Sequence, residues 1–175
     1  MRTVLVNLSN ELYKDSRIRL NESAGRHGIS EVRSWDFEEL KQTAFYAQNR
    51  AILDQPTGIG YWLWKPYVIL EALKALSDGD IVIYSDSGIE IIAPLDPLID
   101  LCREDEPVLL FGNGDYINAF WTKRDCFVLM DCDRELFWYG PHCDAAFLLV
   151  RKCPLSLKFL QEWLNFACDQ RILTD

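Results

Sequence analysis

The chain has 175 residues, of which 49% are hydrophobic and 26% are charged, a composition typical of one soluble globular domain. Eighteen Lys and Arg against twenty-seven Asp and Glu give a net charge of -9, so a basic surface for binding DNA or RNA is not expected. No apolar run approaches the roughly 18 residues of a membrane span, and the six cysteines form no C-x-x-C pair, so we expect a cytoplasmic protein with reduced thiols and no transmembrane segment.

The first third of the chain predicts strands that alternate with helices. Residues 1–8 predict a first strand, residues 16–26 a helix, and residues 31–35 a second strand. Asp36 then begins one amphipathic helix, in the manner of a capping box with Glu39. The apolar residues of this helix recur at steps of three and four: Phe37, Leu40, Ala44, Ala47 and Ala51.

A stretch rich in glycine and aromatic residues, residues 58–67, interrupts this pattern. Pro66 suits the first turn of a helix, which predicts that Lys65 is held extended beside the helix start. Residues 81–84 are apolar without interruption and follow a polar turn. They predict a strand that is covered on both faces, as central parallel strands are.

The remaining residues predict a further series of short elements. In order these are a strand at 89–92, a helix at 96–103, a strand at 108–111, a loop at 112–118, a helix at 122–130 capped by Thr122 with Asp125, a strand at 145–150 and a last helix. No repeat or linker divides the chain. We therefore expect a single domain over residues 1–175, an α/β/α sandwich with a mostly parallel central sheet.

Asp86 follows the buried strand, at the edge where open α/β sheets bind ligands. A carboxylate there is an oxygen donor that Mg²⁺ or Mn²⁺ prefers, and Gly88 lets a ligand approach closely. Acidic residues also commonly cap the turn after a strand, which explains Asp86 about equally well on position alone. Tyr84, Asp86 and Gly88 alternate onto one side if the strand continues, and this favours a binding site.

The aromatic residues Tyr61, Trp62 and Trp64 allow two interpretations. They belong to the core, which is the commoner fate of clustered aromatic side chains, or they form a wall on which a sugar or a base stacks. Lys65 slightly favours function, because a cation at a helix start opposes the helix dipole unless it faces an anion.

Three more polar residues are candidates. Asp115 and Asn118 lie in the predicted glycine-bearing loop, where binding groups are common, although an ordinary turn explains them nearly as well. His142, Cys143 and Asp144 are adjacent, but successive strand residues point to opposite sides and cannot all bind one zinc ion. Asp144 is thus a candidate for a single proton acceptor.

Two motifs together resemble those of one enzyme family. Residues 58–67 read GIGYWLWKPY and residues 80–88 read DIVIYSDSG. This pair resembles the GYW-x-WKP and Y-x-D-x-G motifs of GT-A-type glycosyltransferases of bacterial and viral polysaccharide synthesis, and the likeness runs from about residue 37 to the C-terminus. It implies a GT-A-like nucleotide-diphospho-sugar transferase domain that uses a nucleotide-sugar donor, Mn²⁺ or Mg²⁺, and a hydroxyl of a glycan or polysaccharide acceptor.

The resemblance also implies roles for residues. Asp86 matches the leading carboxylate of the family's DxD-type metal motif, and Asp144 or Asp115 would accept the acceptor's proton in an inverting transfer. The expected donor-binding residues are Asn7, Tyr61, Trp62, Trp64, Lys65, Tyr84, Ser85, Asp86 and Asn118. Two features depart from the family pattern. Gly88 replaces the second Asp of a full DxD motif, and chains of this type usually continue past residue 175 into a His-containing segment.

Two other functions compete with glycosyl transfer. The incomplete DxD motif also suits a donor-binding or assembly module without transfer activity. A phosphohydrolase with Asp86 as its nucleophile is the third hypothesis. Such enzymes usually carry a second acid two residues later, where this chain has Gly88.

Overall fold

A mixed sheet of five strands forms the centre of the computed structural model, which describes residues 1–174. The strands are β1 (Thr3–Ser9), β2 (Glu31–Asp36), β3 (Ile81–Ser85), β4 (Val108–Ile117) and β5 (Pro141–Arg151). Their spatial order is β2-β1-β3-β5-β4. Strand β1 pairs in parallel with β2 and β3, whereas β5 pairs antiparallel with β3 and β4. The predicted α/β fold is confirmed, with a sheet that is parallel in one half and antiparallel in the other.

Helices cover both faces of this sheet. In chain order they are α1 (Lys14–Arg26), α2 (Phe37–Leu40), α3 (Ala44–Gln48), α4 (Arg50–Leu53), α5 (Gly58–Tyr61), α6 (Trp64–Lys74), α7 (Asp96–Glu104), α8 (Arg124–Leu129), α9 (Glu135–Trp138), α10 (Pro154–Ala167) and α11 (Gln170–Leu173), with 3-10 turns at Glu11–Tyr13 and Asn118–Phe120. Helices α6 and α10 pack on one face, and α1 and α7 pack on the other. The layers therefore form an α/β/α sandwich.

Strand β3 lies at the centre of the core, as its unbroken apolar sequence predicts. All five of its residues are buried. Val82 and Tyr84 contact the face covered by α6 and α10, while Ile81 and Ile83 contact the face covered by α1 and α7. Because both faces bury apolar side chains, the strand carries no polar residue before Ser85 at its end.

The single helix predicted over residues 36–51 is wrong, because three short helices occupy this range. Asp36 does form the expected capping box, but α2 ends at Leu40. The Thr43 hydroxyl accepts a hydrogen bond from the Tyr46 amide and so begins a new helix, α3. The side-chain amide of Asn49 then bonds to the Phe45 carbonyl, and α4 follows. Local side-chain bonds thus break an apolar period that would suit one helix.

Two predictions in the middle of the chain are also wrong. Residues 89–92 form no strand, because the Ile91 amide bonds to the Ser23 hydroxyl on α1 instead of to a sheet neighbour. Residues 112–117 are not a loop, because β4 continues to Ile117 along the first half of β5. The register of this pairing shifts between Leu110 and Phe111 and again between Asn113 and Ile117.

The ends of other elements differ slightly from their predicted positions. Helix α8 begins at Arg124, and Lys123 rather than Thr122 occupies the N-cap position without a side-chain bond. Among residues 1–174, no helix is both long and apolar enough to cross a membrane. All six cysteines have free thiols.

The segment α5 is a left-handed turn that connects α4 to α6. Positive φ angles occur at five consecutive residues: Gly58 (54°), Ile59 (54°), Gly60 (82°), Tyr61 (52°) and Trp62 (58°). Left-handed backbone costs an L-residue roughly 1–2 kcal/mol, and more for a β-branched side chain such as Ile59. The surrounding packing must therefore hold this turn, and it fixes where the side chains of Tyr61 and Trp62 point.

Replacing Gly60 with Ala tests how tightly this turn is held. A Cβ at Gly60 would lie 2.5 Å from the Cα of Leu53, and the residue has a φ of +82°. We expect Gly60→Ala to lower the free energy of unfolding by at least about 2 kcal/mol, measured by urea denaturation. The matched control is Gly25→Ala in α1, where a Cβ meets nothing within 4 Å. That control should be neutral or stabilising by up to about 1 kcal/mol, and equal stability of the two variants would contradict the packing described.

Candidate functional site

An ion pair lies at the end of β3. The Lys65 Nζ is 2.9 Å from each of the two carboxylate oxygens of Asp86. It also donates a hydrogen bond of 3.2 Å to the carbonyl oxygen of Ala145 on β5. The Tyr84 hydroxyl donates to Asp86 Oδ1 at 2.5 Å. The lysine of the aromatic stretch thus pairs directly with the carboxylate that follows β3.

The backbone around Lys65 differs from the predicted extended conformation. Lys65 lies in the first turn of α6, and its amide donates to the carbonyl of Trp62. A residue before proline usually avoids the helical region. Here the carbonyl at the end of the left-handed turn supplies the bond, and the burial of Trp64 and Pro66 holds the helix start against the core. Lys65 consequently points along the sheet toward the end of β3.

The environment of the ion pair is asymmetric. The Lys65 side chain is only 8% exposed, whereas that of Asp86 is 33% exposed. The ammonium also lies 5.6 Å from the ring centre of Tyr84 and 5.9 Å from that of Trp64, both within cation–π range. Burial raises the pKa of Tyr84 well above its usual value, and the Asp86 carboxylate raises it further. Tyr84 is therefore a neutral hydrogen-bond donor to Asp86 at neutral pH.

A polar cluster lies at the ends of β1 and β2, on the face covered by α1. The Asn7 side-chain amide donates to Asn21, which in turn donates to Ser34. Asn7 Oδ1 and Ser9 Oγ are buried and have no hydrogen-bond partner among the described residues. Ser85 is buried as well, and its hydroxyl bonds to the Asp86 carbonyl. Asn7 and Ser85 thus flank the ion pair from the other side of the sheet.

A cavity of about 780 Å³ opens beside the ion pair. It is lined by four of the predicted site residues, Tyr61, Trp62, Asn118 and Asp144. Other lining residues include Trp121, His142, Ala145, Phe159, Glu162 and Trp163. The cavity meets the ion pair at β5, because the Ala145 carbonyl accepts the Lys65 hydrogen bond while Ala145 lines the cavity.

The predicted site residues therefore fall into separate groups. Lys65, Tyr84 and Asp86 form the ion-pair cluster and do not line the cavity. Trp64 is 4% exposed and packs in the core, with its indole nitrogen bonded to the Gly58 carbonyl. Asp115 is exposed on β4 and is not a lining residue either. Donor binding and catalysis by any of these residues stay predictions.

Several cavity residues were missed by the sequence reasoning. Phe159, Trp163 and Phe166 recur along α10 at helical spacing beside the apolar face of Leu157, Leu160 and Leu164. This row of aromatic residues on α10 could have indicated from the sequence that the helix lines a cavity. Trp121 follows the 3-10 turn that ends β4, and no local pattern announces its position.

The expected Mn²⁺ or Mg²⁺ ion at Asp86 does not fit the donor groups present. Both oxygens of Asp86 are already held, by Lys65 and by Tyr84. Gly88 supplies no side chain at the second position of the motif. Within residues 1–174, no three His, Cys, Asp or Glu side chains are grouped so as to hold a metal ion. Metal binding by Asp86 stays a prediction.

Comparison with known proteins gives structural matches only. No protein-family model matches the sequence. No curated protein matches it either. The galactosyltransferase LgtC, solved in complex with donor and acceptor sugar analogs, matches with a TM-score of 0.49 and 14% identity over 93% of this chain and 59% of LgtC.

Two further solved structures are glycosyltransferases as well. An active-site mutant of LgtC matches with a TM-score of 0.44 and 14% identity over 93% of this chain and 59% of that one. The bifunctional glycosyltransferase WbbM, in its apo form, matches with a TM-score of 0.46 and 12% identity over 97% of this chain and 34% of WbbM. The chain thus spans about 59% of the length of LgtC. These similarities are too low to transfer an activity or a residue role.

The unequal burial of the ion pair predicts unequal costs when either partner is removed. Asp86→Asn leaves the buried Lys65 ammonium without a counter-charge, and we expect a loss of about 3 kcal/mol in the free energy of unfolding. Lys65→Met leaves a carboxylate that solvent reaches, so about 1 kcal/mol should be lost. Urea denaturation of both variants measures the difference.

The control for these variants is Lys74→Met, on the same helix. Lys74 pairs with Glu71 on the surface, where their side chains are 52% and 39% exposed. Its removal should cost less than about 1 kcal/mol. If Lys65→Met lowered the free energy of unfolding more than Asp86→Asn, an unpaired Asp86 would be costlier than an unpaired Lys65. That result would contradict the unequal burial of the two side chains.

Proposed function

We propose that the chain transfers a sugar from a nucleotide-diphosphate sugar donor to a hydroxyl group of a glycan acceptor. One observation carries the proposal. The Lys65 ammonium is held 2.9 Å from Asp86 at the end of a central strand, beside a cavity of about 780 Å³ with aromatic walls. The lysine and the carboxylate belong to the two motifs that resemble those of GT-A-type glycosyltransferases.

The proposed donor site lies at the carboxyl ends of β1, β2 and β3. Ligands of α/β sheets collect at such edges. When the bond between the anomeric carbon and the diphosphate oxygen breaks, negative charge grows on the departing diphosphate, and a fixed cation stabilises that charge. Lys65 is one cation at this edge. Arg17 of α1 is a second. Its guanidinium donates to the Trp35 carbonyl at the end of β2 and lies 4.0 Å from the Asp36 carboxylate, and its side chain is 15% exposed.

The proposed acceptor site is the cavity. Sugar rings present C–H faces that pack on aromatic side chains, and Tyr61, Trp62, Trp121 and Trp163 all line this space. The exposed side chain of Trp62 and the left-handed turn that carries it are consistent with a binding surface, because strained backbone concentrates at such sites.

Asp144 is the proposed general base. It lines the cavity, and one of its carboxylate oxygens accepts a 2.8 Å hydrogen bond from the Ala146 amide, which orients the side chain. In the reaction the acceptor oxygen attacks the anomeric carbon, its proton passes to Asp144, and the nucleoside diphosphate leaves. Asp115 remains the competing assignment, although it is exposed and outside the cavity lining.

A donor-binding module without transfer activity is the second candidate. The observation in its favour is that both oxygens of Asp86 are engaged by neighbouring side chains. The same engagement disfavours Asp86 as the nucleophile of a phosphohydrolase, because an attacking oxygen must be free. Measurable sugar transfer by the purified chain would exclude the module.

A thermal-shift panel tests the donor site directly. UDP-, GDP-, dTDP- and CMP-sugars are each added to the 175-residue chain, with and without Mn²⁺. We expect one nucleotide class to raise the melting temperature, because a ligand that binds only the folded state stabilises it. No shift with any of these donors under either condition would contradict the proposed function.

Substitution of Asp144 tests the proposed base. With the donor found in the panel, Asp144→Asn should lower kcat by about 100-fold or more while donor affinity changes little, as expected for loss of a general base. Asp105→Asn, at the exposed end of α7, is the matched control and should keep full activity. Loss of kcat in Asp115→Asn with full activity in Asp144→Asn would reverse the assignment.

A further inference from the structure

We propose that Lys65 takes the place of a divalent cation at the end of β3, so that Asp86 binds an ammonium group and not a metal ion. The part of this inference that concerns the donor rests on the proposed function. The part that concerns Asp86 and the metal does not, because it follows from the contacts of the ion pair alone.

The oxygens of Asp86 already hold a cation. Lys65 Nζ lies 2.9 Å from both oxygens of Asp86, in the position that a cation chelated by this carboxylate would take. The Tyr84 hydroxyl occupies a further lone pair of Oδ1. A metal ion would have to displace the ammonium. Position 88 is glycine and adds no carboxylate, and within residues 1–174 no three His, Cys, Asp or Glu side chains are grouped so as to hold the ion.

The Lys65 side chain is largely buried. It is 8% exposed, and its ammonium lies 5.6 Å from the ring centre of Tyr84 and 5.9 Å from that of Trp64. A metal at Asp86 would leave this ammonium buried beside a second positive charge, which is strongly unfavourable at low dielectric.

The ammonium can offer a ligand one of its N–H groups. A lysine ammonium has three N–H donors. In the structure these face the two oxygens of Asp86 and the Ala145 carbonyl. A phosphate oxygen at the carboxyl edge of the sheet would take the place of one Asp86 oxygen, while the other keeps Lys65 paired. Because Asp86 offsets the charge of the ammonium, Lys65 would contribute a directed, charge-assisted hydrogen bond to the diphosphate.

Titration of Mn²⁺ against the protein alone is the first test, with the signal of free Mn²⁺ followed by electron paramagnetic resonance. We expect the wild-type chain and Asp86→Asn to bind Mn²⁺ equally weakly. A site in the wild type that Asp86→Asn removes would overturn the inference. This comparison needs no donor, so a site lost in Asp86→Asn counts against the inference even if no nucleotide binds and the proposed function fails.

The second test measures binding of UDP, GDP and dTDP by calorimetry in EDTA and in Mn²⁺. For a nucleotide that binds, the wild-type Kd should agree within about twofold in the two buffers. A tenfold or greater tightening by Mn²⁺ in the wild type, absent in Asp86→Asn, would overturn the inference.

Lys65 variants separate its charge from its packing. In Lys65→Met the freed carboxylate can share a Mn²⁺ ion with the diphosphate, so Mn²⁺ should tighten nucleotide binding about tenfold or more. Lys65→Arg keeps the cation and should stay independent of Mn²⁺. If Lys65→Met does not fold, by circular dichroism, the comparison of wild type with Asp86→Asn still decides. Mn²⁺-independent binding in Lys65→Met equal to that of the wild type would overturn the role given to the ammonium.

Discussion

Burial of the Lys65 ammonium is the constraint on which the site depends. A cation that is only 8% exposed needs a counter-charge and full hydrogen bonding, and Asp86, Ala145 and two aromatic rings supply them. These contacts join three elements, since Lys65 lies in the first turn of α6, Asp86 follows β3 and Ala145 belongs to β5. The Asp86 amide also bonds to the Ala146 carbonyl at 2.7 Å, which extends the pairing of β3 with β5 past the end of the strand. These contacts therefore fix the position of the Lys65–Asp86 pair at the edge of the sheet where the chemistry is proposed.

The parallel and antiparallel halves of the sheet place different groups around the Lys65–Asp86 pair. The parallel half, β2-β1-β3, ends in a cluster of buried amides and hydroxyls in which Asn7 Oδ1 and Ser9 Oγ have no partner among residues 1–174. The antiparallel half extends further and, with α10 and the left-handed turn, encloses the aromatic cavity. The proposed donor and acceptor regions thus meet at Asp86 and Asp144, on neighbouring strands. A transfer reaction needs such a meeting point, because the sugar moves between two ligands held side by side.

Part of this arrangement could be predicted from the sequence, and the limits have physical causes. The central strand and the strand-end carboxylate were predictable because an unbroken apolar run and a following polar turn are local signals. The extension of β4 was not, because Gly112 and Asn113 take their conformation from pairing with residues about thirty positions later in β5. The break in the helix after Leu40 depended on the Thr43 hydroxyl, which a count of apolar spacing ignores. The left-handed turn includes Ile59, and a β-branched residue disfavours positive φ angles. The sequence therefore did not indicate this turn.

A crystal structure of the chain grown with a nucleoside diphosphate and Mn²⁺, recorded at the manganese absorption edge, tests the central claim most directly. The account predicts a diphosphate at the carboxyl ends of β1 and β3, within hydrogen-bond distance of Lys65, with Lys65 still paired to Asp86 and no anomalous peak on that carboxylate. A manganese peak coordinated by Asp86, or a diphosphate bound away from this edge of the sheet, would contradict it.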